Sequence, residues 1–170
     1  VARAIATFER TLLSGNSPYD RWAAGDKNAM SPAAVAGYNL FMDTKRANCT
    51  ACHDGFNFSD SDFHDTGIGM DTGSPDQGRG AVSHQGKDAG SFKTPTLRNL
   101  KYTAPYMHDG SRKTLVEAVD LYDDGGVPNP NLDARIKPLH LTEIEEGDLA
   151  YFLQALSGDP VKMAAPPMPQ

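Results

Sequence analysis

The run Cys49-Thr50-Ala51-Cys52-His53 decides how the rest of the chain is read. Two thiols three positions apart, followed directly by an imidazole, match the C-x-x-C-H spacing of covalent haem attachment. On a short helical turn each thiol reaches one vinyl group of the porphyrin to form a thioether. The adjacent histidine then lies under the ring as the proximal iron ligand. The sequence therefore predicts one covalent haem c, held by Cys49, Cys52 and His53.

Competing uses of the motif find little support elsewhere, because these are the only cysteines in the chain. A structural zinc site needs two further ligands, and no second C-x-x-C pair exists. A zinc held by Cys49, Cys52, His64 and His84 has only weak spacing in its favour. A thioredoxin-like redox pair needs a βαβ context that the pattern does not offer.

The length of 170 residues fits one domain, with a porphyrin adding apolar surface to its core. A formal charge of −6 without any basic cluster argues against nucleic-acid binding. No apolar run approaches the roughly 18 residues of a membrane span. Val1-Ala2-Arg3-Ala4 lacks a Met and a signal-peptide core, and reads as a processed or cut N-terminus. Because haem c is attached outside the bacterial cytoplasm, the motif implies the periplasm.

Working outward from the motif, residues 33–44 follow Ser31-Pro32, an N-cap with proline at the first helical position. That helix sets Val35, Tyr38, Leu40, Phe41 and Met42 beside the haem. Residues 1–13 carry Ile5, Phe8, Leu12 and Leu13 at helical spacing, an amphipathic helix whose apolar face needs a partner. Trp22 sits in a short turn and is read as core, with electron relay the alternative. Residues 54–93 turn to Gly, Asp, Ser and His, a long irregular stretch that wraps one haem edge, with a short strand at Phe56-Asn57-Phe58. Thr114-Leu115-Val116-Glu117 opens a helix through Tyr122 as a capping box, and Thr142-Glu143-Ile144-Glu145 opens the last helix in the same way. The expectation is an all-α, class I cytochrome c-like domain with long loops. Its parts are a lead-in at 1–30, the haem domain at 31–158 and a flexible tail at 159–170. His64, His84 and His140 read as loop residues, and the acidic run at 143–148 as a solvated helix start.

With these segments in hand, the chain resembles the C-terminal haem domain of the bacterial di-haem cytochrome c peroxidases and their MauG-type relatives. The most specific parts are Cys49 to His53, Phe92-Lys93-Thr94-Pro95-Thr96-Leu97-Arg98-Asn99, and Ala104-Pro105-Tyr106-Met107-His108-Asp109-Gly110. The resemblance implies a second haem domain or subunit as partner, since the family carries two haems and this chain has one motif. It also implies calcium held partly by the backbone carbonyls of Thr103 and Pro105.

The sixth iron ligand separates electron transfer from peroxide binding. Met70, Met107, His108 and Tyr122 are the candidates. The resemblance points to Tyr122, the position that is methionine in the peroxidases and tyrosine in the MauG-type proteins, and Met107 stands as the thioether alternative. Arg79 and Arg98 are the cations suited to haem propionates, because guanidinium matches carboxylate bidentately. The implied function is a peroxidase's electron-transfer domain, relaying or storing electrons for peroxide reduction at a second haem outside this chain. Its further partner is a small redox protein donor or a substrate protein. The alternative is a stand-alone mono-haem c-type electron carrier.

Overall fold

The computed structural model describes residues 1–159. The expected tail lies, but for Asp159, outside the described residues. Six α-helices follow in order: α1 (Ala2–Glu9), α2 (Pro18–Ala23), α3 (Pro32–Met42), α4 (Gly80–Ser83), α5 (Leu115–Asp123) and α6 (Glu143–Ala155). Three short 3₁₀ turns cover Cys49–Ala51, Gly86–Asp88 and Leu100–Tyr102. No helix among the described residues is long and apolar enough to cross a membrane.

Local sequence explains most helix starts. Ser31 caps α3 by accepting from the Ala34 N–H at 3.1 Å, with Pro32 behind it. Thr142 and Glu145 cap α6 reciprocally, as their spacing predicts. Thr114 caps α5 only one way. Its hydroxyl accepts from the Glu117 N–H, while the Glu117 carboxylate reaches past it to the Lys113 N–H at 2.7 Å. A further box, Ser17 with Asp20, makes a helix of the segment that the sequence reads as a turn.

The helices α3 and α6 cross in close contact, and α5 packs against α6. Gly37 permits that crossing, because a Cβ there would strike the Asp148 carbonyl and stand 2.9 Å from the Leu149 nitrogen. Phe152 of α6 is fully buried among Tyr19, Tyr38, Phe41 and Phe58. Trp22 joins this cluster half-buried, edge-on to Tyr38 at 5.1 Å. Burial of each such side chain contributes about 1.5–3 kcal/mol.

Three further expectations are corrected. The fold is mostly helical rather than all-α, since β1 (Phe63–Asp65) pairs antiparallel with β2 (Ser91–Lys93) in the register His64↔Phe92. The strand expected at Phe56-Asn57-Phe58 is instead a turn, closed by the Phe58 N–H on the Gly55 carbonyl. Gly55 and Phe58 both take left-handed backbone angles, φ +64° and +50°, which no strand accommodates. Helix α1 is shorter than expected, and Ile5, Phe8, Leu12 and Leu13 remain exposed.

Candidate haem site

Asn48, at φ +48°, turns the chain from α3 into the Cys49–Ala51 turn. The His53 N–H closes that turn on the Cys49 carbonyl at 2.9 Å. Both thiols are free, and His53 follows on the same turn. The imidazole is fixed by one contact, its Nδ1 lying 2.9 Å from the Phe58 carbonyl. A carbonyl only accepts, so the ring hydrogen sits on Nδ1 and Nε2 keeps its lone pair for a metal. Burial also holds the His53 pKa below its usual value, which keeps the ring neutral and able to ligate.

Across from this turn stands Tyr122, in the third turn of α5. Burial, with added repulsion from the Cys49 and Cys52 thiols, pushes its hydroxyl up to about 12. Burial likewise pushes the Cys49 thiol up to about 12. Yet Cys49, Cys52, His53 and Tyr122 all keep some solvent-accessible surface. All four are half-buried, and Cys49 packs against the edge of the hydrophobic core. Among the described residues the Tyr122 hydroxyl makes no hydrogen bond. Two thiols and an imidazole with a free nitrogen on one turn are donors suited to a haem c, and the Tyr122 phenol lies near enough to feel both thiols.

The other candidates have different surroundings. Arg98 is 5% exposed and its Nη1 donates to both Asp20 carboxylate oxygens at 2.8 and 2.9 Å, while its Nε donates to the Phe56 carbonyl at 2.9 Å. Arg79 lies over the Phe63 ring at 4.1 Å, with Asp88 at 3.6 Å. Met107 is half-buried at φ +66° in the turn that the Tyr106–Arg112 bridge closes. His108 stacks on Phe92 with centroids 3.6 Å apart and places its Nε2 3.4 Å from Asp76. Met70 packs by Gly90 near the buried Asp65. Thr103 and Pro105 are exposed on the connection after the Leu100–Tyr102 turn.

One grouping of potential metal ligands occurs among the described residues, Cys52 with Asp60 and His64. It leaves out Cys49 and His84, so the zinc alternative does not assemble as its spacing required. Sequence reasoning missed the Phe58 carbonyl and the charged residues around His64. The first is a backbone atom with no side-chain signature, and the second depends on contacts 69 and 71 residues apart.

Fold and site together define a cytochrome c-like domain. The chain is 41% identical to the methylamine utilization protein MauG of Methylophilus methylotrophus, over 100% of its own length and 50% of that protein. It is 35% identical to the cytochrome c551 peroxidase of Nitrosomonas europaea, over 99% of this chain and 47% of the other. The crystal structure of a MauG-like protein associated with microbial copper homeostasis superposes with a TM-score of 0.77 at 30% identity, covering 84% of this chain and 52% of that one. No family model matches the chain. It belongs to the MauG and cytochrome c peroxidase family and corresponds to that family's C-terminal haem domain. The chain spans about half the length of the curated relatives it matches.

Proposed function

We propose that this chain is the electron-transfer haem c domain of a MauG-like peroxidase. It relays or stores electrons for peroxide reduction at a second haem, carried on the half of the family's length outside these residues. Cys49 and Cys52 would hold the porphyrin by thioethers, His53 would ligate the iron through Nε2, and Tyr122 would supply a further oxygen ligand. Haem c supplies a one-electron couple there, and a phenolate, as a hard anionic donor, favours its ferric and higher states over the ferrous. The residues of the chain do the rest. The Phe58 carbonyl aims His53, and the Tyr122 phenol as a ligand would compete with small molecules for the iron. The compartment is the periplasm, and the partners are the second haem domain and a redox or substrate protein.

The observation that carries this reading is the position of Tyr122 on α5, half-buried, without a hydrogen-bond partner among the described residues and near enough to Cys49 and Cys52 for both to add to burial in raising its pKa. The test is the ferric absorption and paramagnetic resonance spectrum of the haem-loaded chain beside that of Tyr122→Met. The variant should gain the weak far-red sulfur-to-iron band of a thioether ligand, which the unsubstituted protein lacks, with covalent haem retained in both. A thioether band already present before substitution would assign the ligand to a methionine such as Met107. Rapid reaction of the isolated chain with hydrogen peroxide, followed by stopped flow, would refute the electron-transfer assignment.

A further inference from the structure

The two carbonyls in the middle of the attachment turn are the ends of a hydrogen-bonded ring. Arg135 Nη1 donates to the Ala51 carbonyl at 3.0 Å, and the Asp60 N–H donates to the Cys52 carbonyl at 2.8 Å. Between them, Arg135 Nη2 lies 2.7 Å from His64 Nδ1, and His64 Nε2 lies 2.8 Å from Asp60 Oδ2. Asp133 holds the guanidinium in a two-point grip, accepting from Nε at 2.9 Å and from Nη2 at 2.7 Å. The Asp133 N–H is itself tied to the Asp65 carbonyl of β1 at 3.0 Å.

The proton placement in this ring follows from donor chemistry. His64 Nδ1 is near both Asp133 Oδ2, at 2.9 Å, and Arg135 Nη2, at 2.7 Å. A guanidinium can only donate, so at the shorter of these distances Nδ1 is the acceptor and the ring hydrogen sits on Nε2, toward Asp60. Asp133 Oδ2 and His64 Nδ1 are then both acceptors, 2.9 Å apart, and Arg135 Nη2 lies 2.7 Å from each as the donor they share. The ring ties the turn bearing both thiols to β1 and to the loop after α5, elements far apart in sequence.

Resting on the haem assignment above, we propose that Arg135 is a positioning residue. Through Asp133, His64 and Asp60 it clamps the attachment turn by consecutive carbonyls, and its charge sets the local potential at the cofactor bound there. The Arg135 guanidinium, 3.0 Å from the Ala51 carbonyl, places its charge against the attachment turn itself, with the Asp133 carboxylate directly behind it. A fixed positive charge beside a redox centre favours the reduced state, and a carboxylate favours the oxidised one. Arg135 and Asp133 therefore pull in opposite directions on one centre while serving one scaffold.

That opposition supplies the test. Covalent haem content and midpoint potential are measured by spectroelectrochemistry for the haem-loaded protein and for Arg135→Gln, Arg135→Lys and Asp133→Asn. The expected results are a negative shift for R135Q, a positive shift for D133N, and R135K nearer the parent than R135Q. If R135Q retains no haem, the clamp is supported and the sign of the D133N shift decides the charge effect. Shifts of the same sign in R135Q and D133N, or none in either, would overturn the inference while leaving the haem assignment intact. A parent protein without covalent haem would refute that assignment and the inference together.

Discussion

Phe152 is enclosed by the rings of Tyr19, Tyr38, Phe41 and Phe58, with centroids between 5.1 and 6.0 Å away. His53 is aimed by a single hydrogen bond to the Phe58 carbonyl, on a turn whose neighbours are held by Arg135 and Asp60. The helical side keeps its shape through apolar packing, which tolerates no cavity. The loop side keeps its shape through directional polar bonds, several of them to backbone carbonyls. Phe58 belongs to both, with its ring in the aromatic cluster and its carbonyl on the imidazole, and a strained φ of +50° between them.

The sharpest way to break the helical side is Phe152→Ala. The ring is 0% exposed, so its removal leaves a cavity that its neighbours cannot fill. A loss of about 3–5 kcal/mol is expected in denaturant unfolding. Because Phe58 loses a packing partner, covalent haem content should fall with it. Undiminished haem loading at that cost would mean that the two sides are less connected than Phe58 suggests.

A smaller effect is expected at the seam between the two sides. Arg98 links the Phe56 carbonyl on the loop side to Ser17 and Asp20 at the start of α2. Asp20→Ala strands a buried guanidinium, at a cost of about 2–3 kcal/mol, below the full value for a wholly buried pair because Asp20 keeps some water contact. Acid should reveal the same bond. Burial works against ionised Asp20, but hydrogen bonds from Ser17 and Arg98 together hold its pKa below the usual carboxylate range. The folded value is thus depressed relative to the unfolded one. The stabilisation is complete above the unfolded carboxylate pKa and is lost as pH falls through the folded value. Thermal unfolding of D20A should show a shallower loss between neutral and acid pH than that of the parent, and parallel curves would remove Asp20 from the acid response.

The same division explains what the sequence disclosed. The attachment motif, the Ser31-Pro32 start and the Thr142–Glu145 box lie within a few residues of their partners, so their chemistry is legible as spacing. The pairing of Phe63 with Lys93, the Asp20 partner of Arg98 and the Ala51 partner of Arg135 join residues 30, 78 and 84 positions apart. No local pattern announces such partners. The strand expected at Phe56–Phe58 failed because aromatic β-propensity was outweighed by left-handed backbone at Gly55, just before it, and at Phe58, its last residue. Arg98 reads in sequence only as a cation suited to a propionate, and its burial against Asp20 was not legible, since nothing near it in sequence shows the carboxylate it meets.

The mildest prediction asks how independent the two sides are. Thr142→Ala removes one half of the α6 capping box and should cost about 1 kcal/mol. For a chain of this size that lowers the melting midpoint by roughly 2–4 °C. Glu145, the other half of the box, also pairs with Arg46 at 2.9 Å, three residues before Cys49. That pair is solvent-exposed and contributes at most about 1 kcal/mol, so slackening it should not disturb the turn that follows. The haem absorption spectrum of T142A should therefore be unchanged at a temperature where both proteins are folded. A spectral change would show that the end of α6 steers the attachment turn through Arg46. The loop side would then depend on the helical side at a second point besides Phe58.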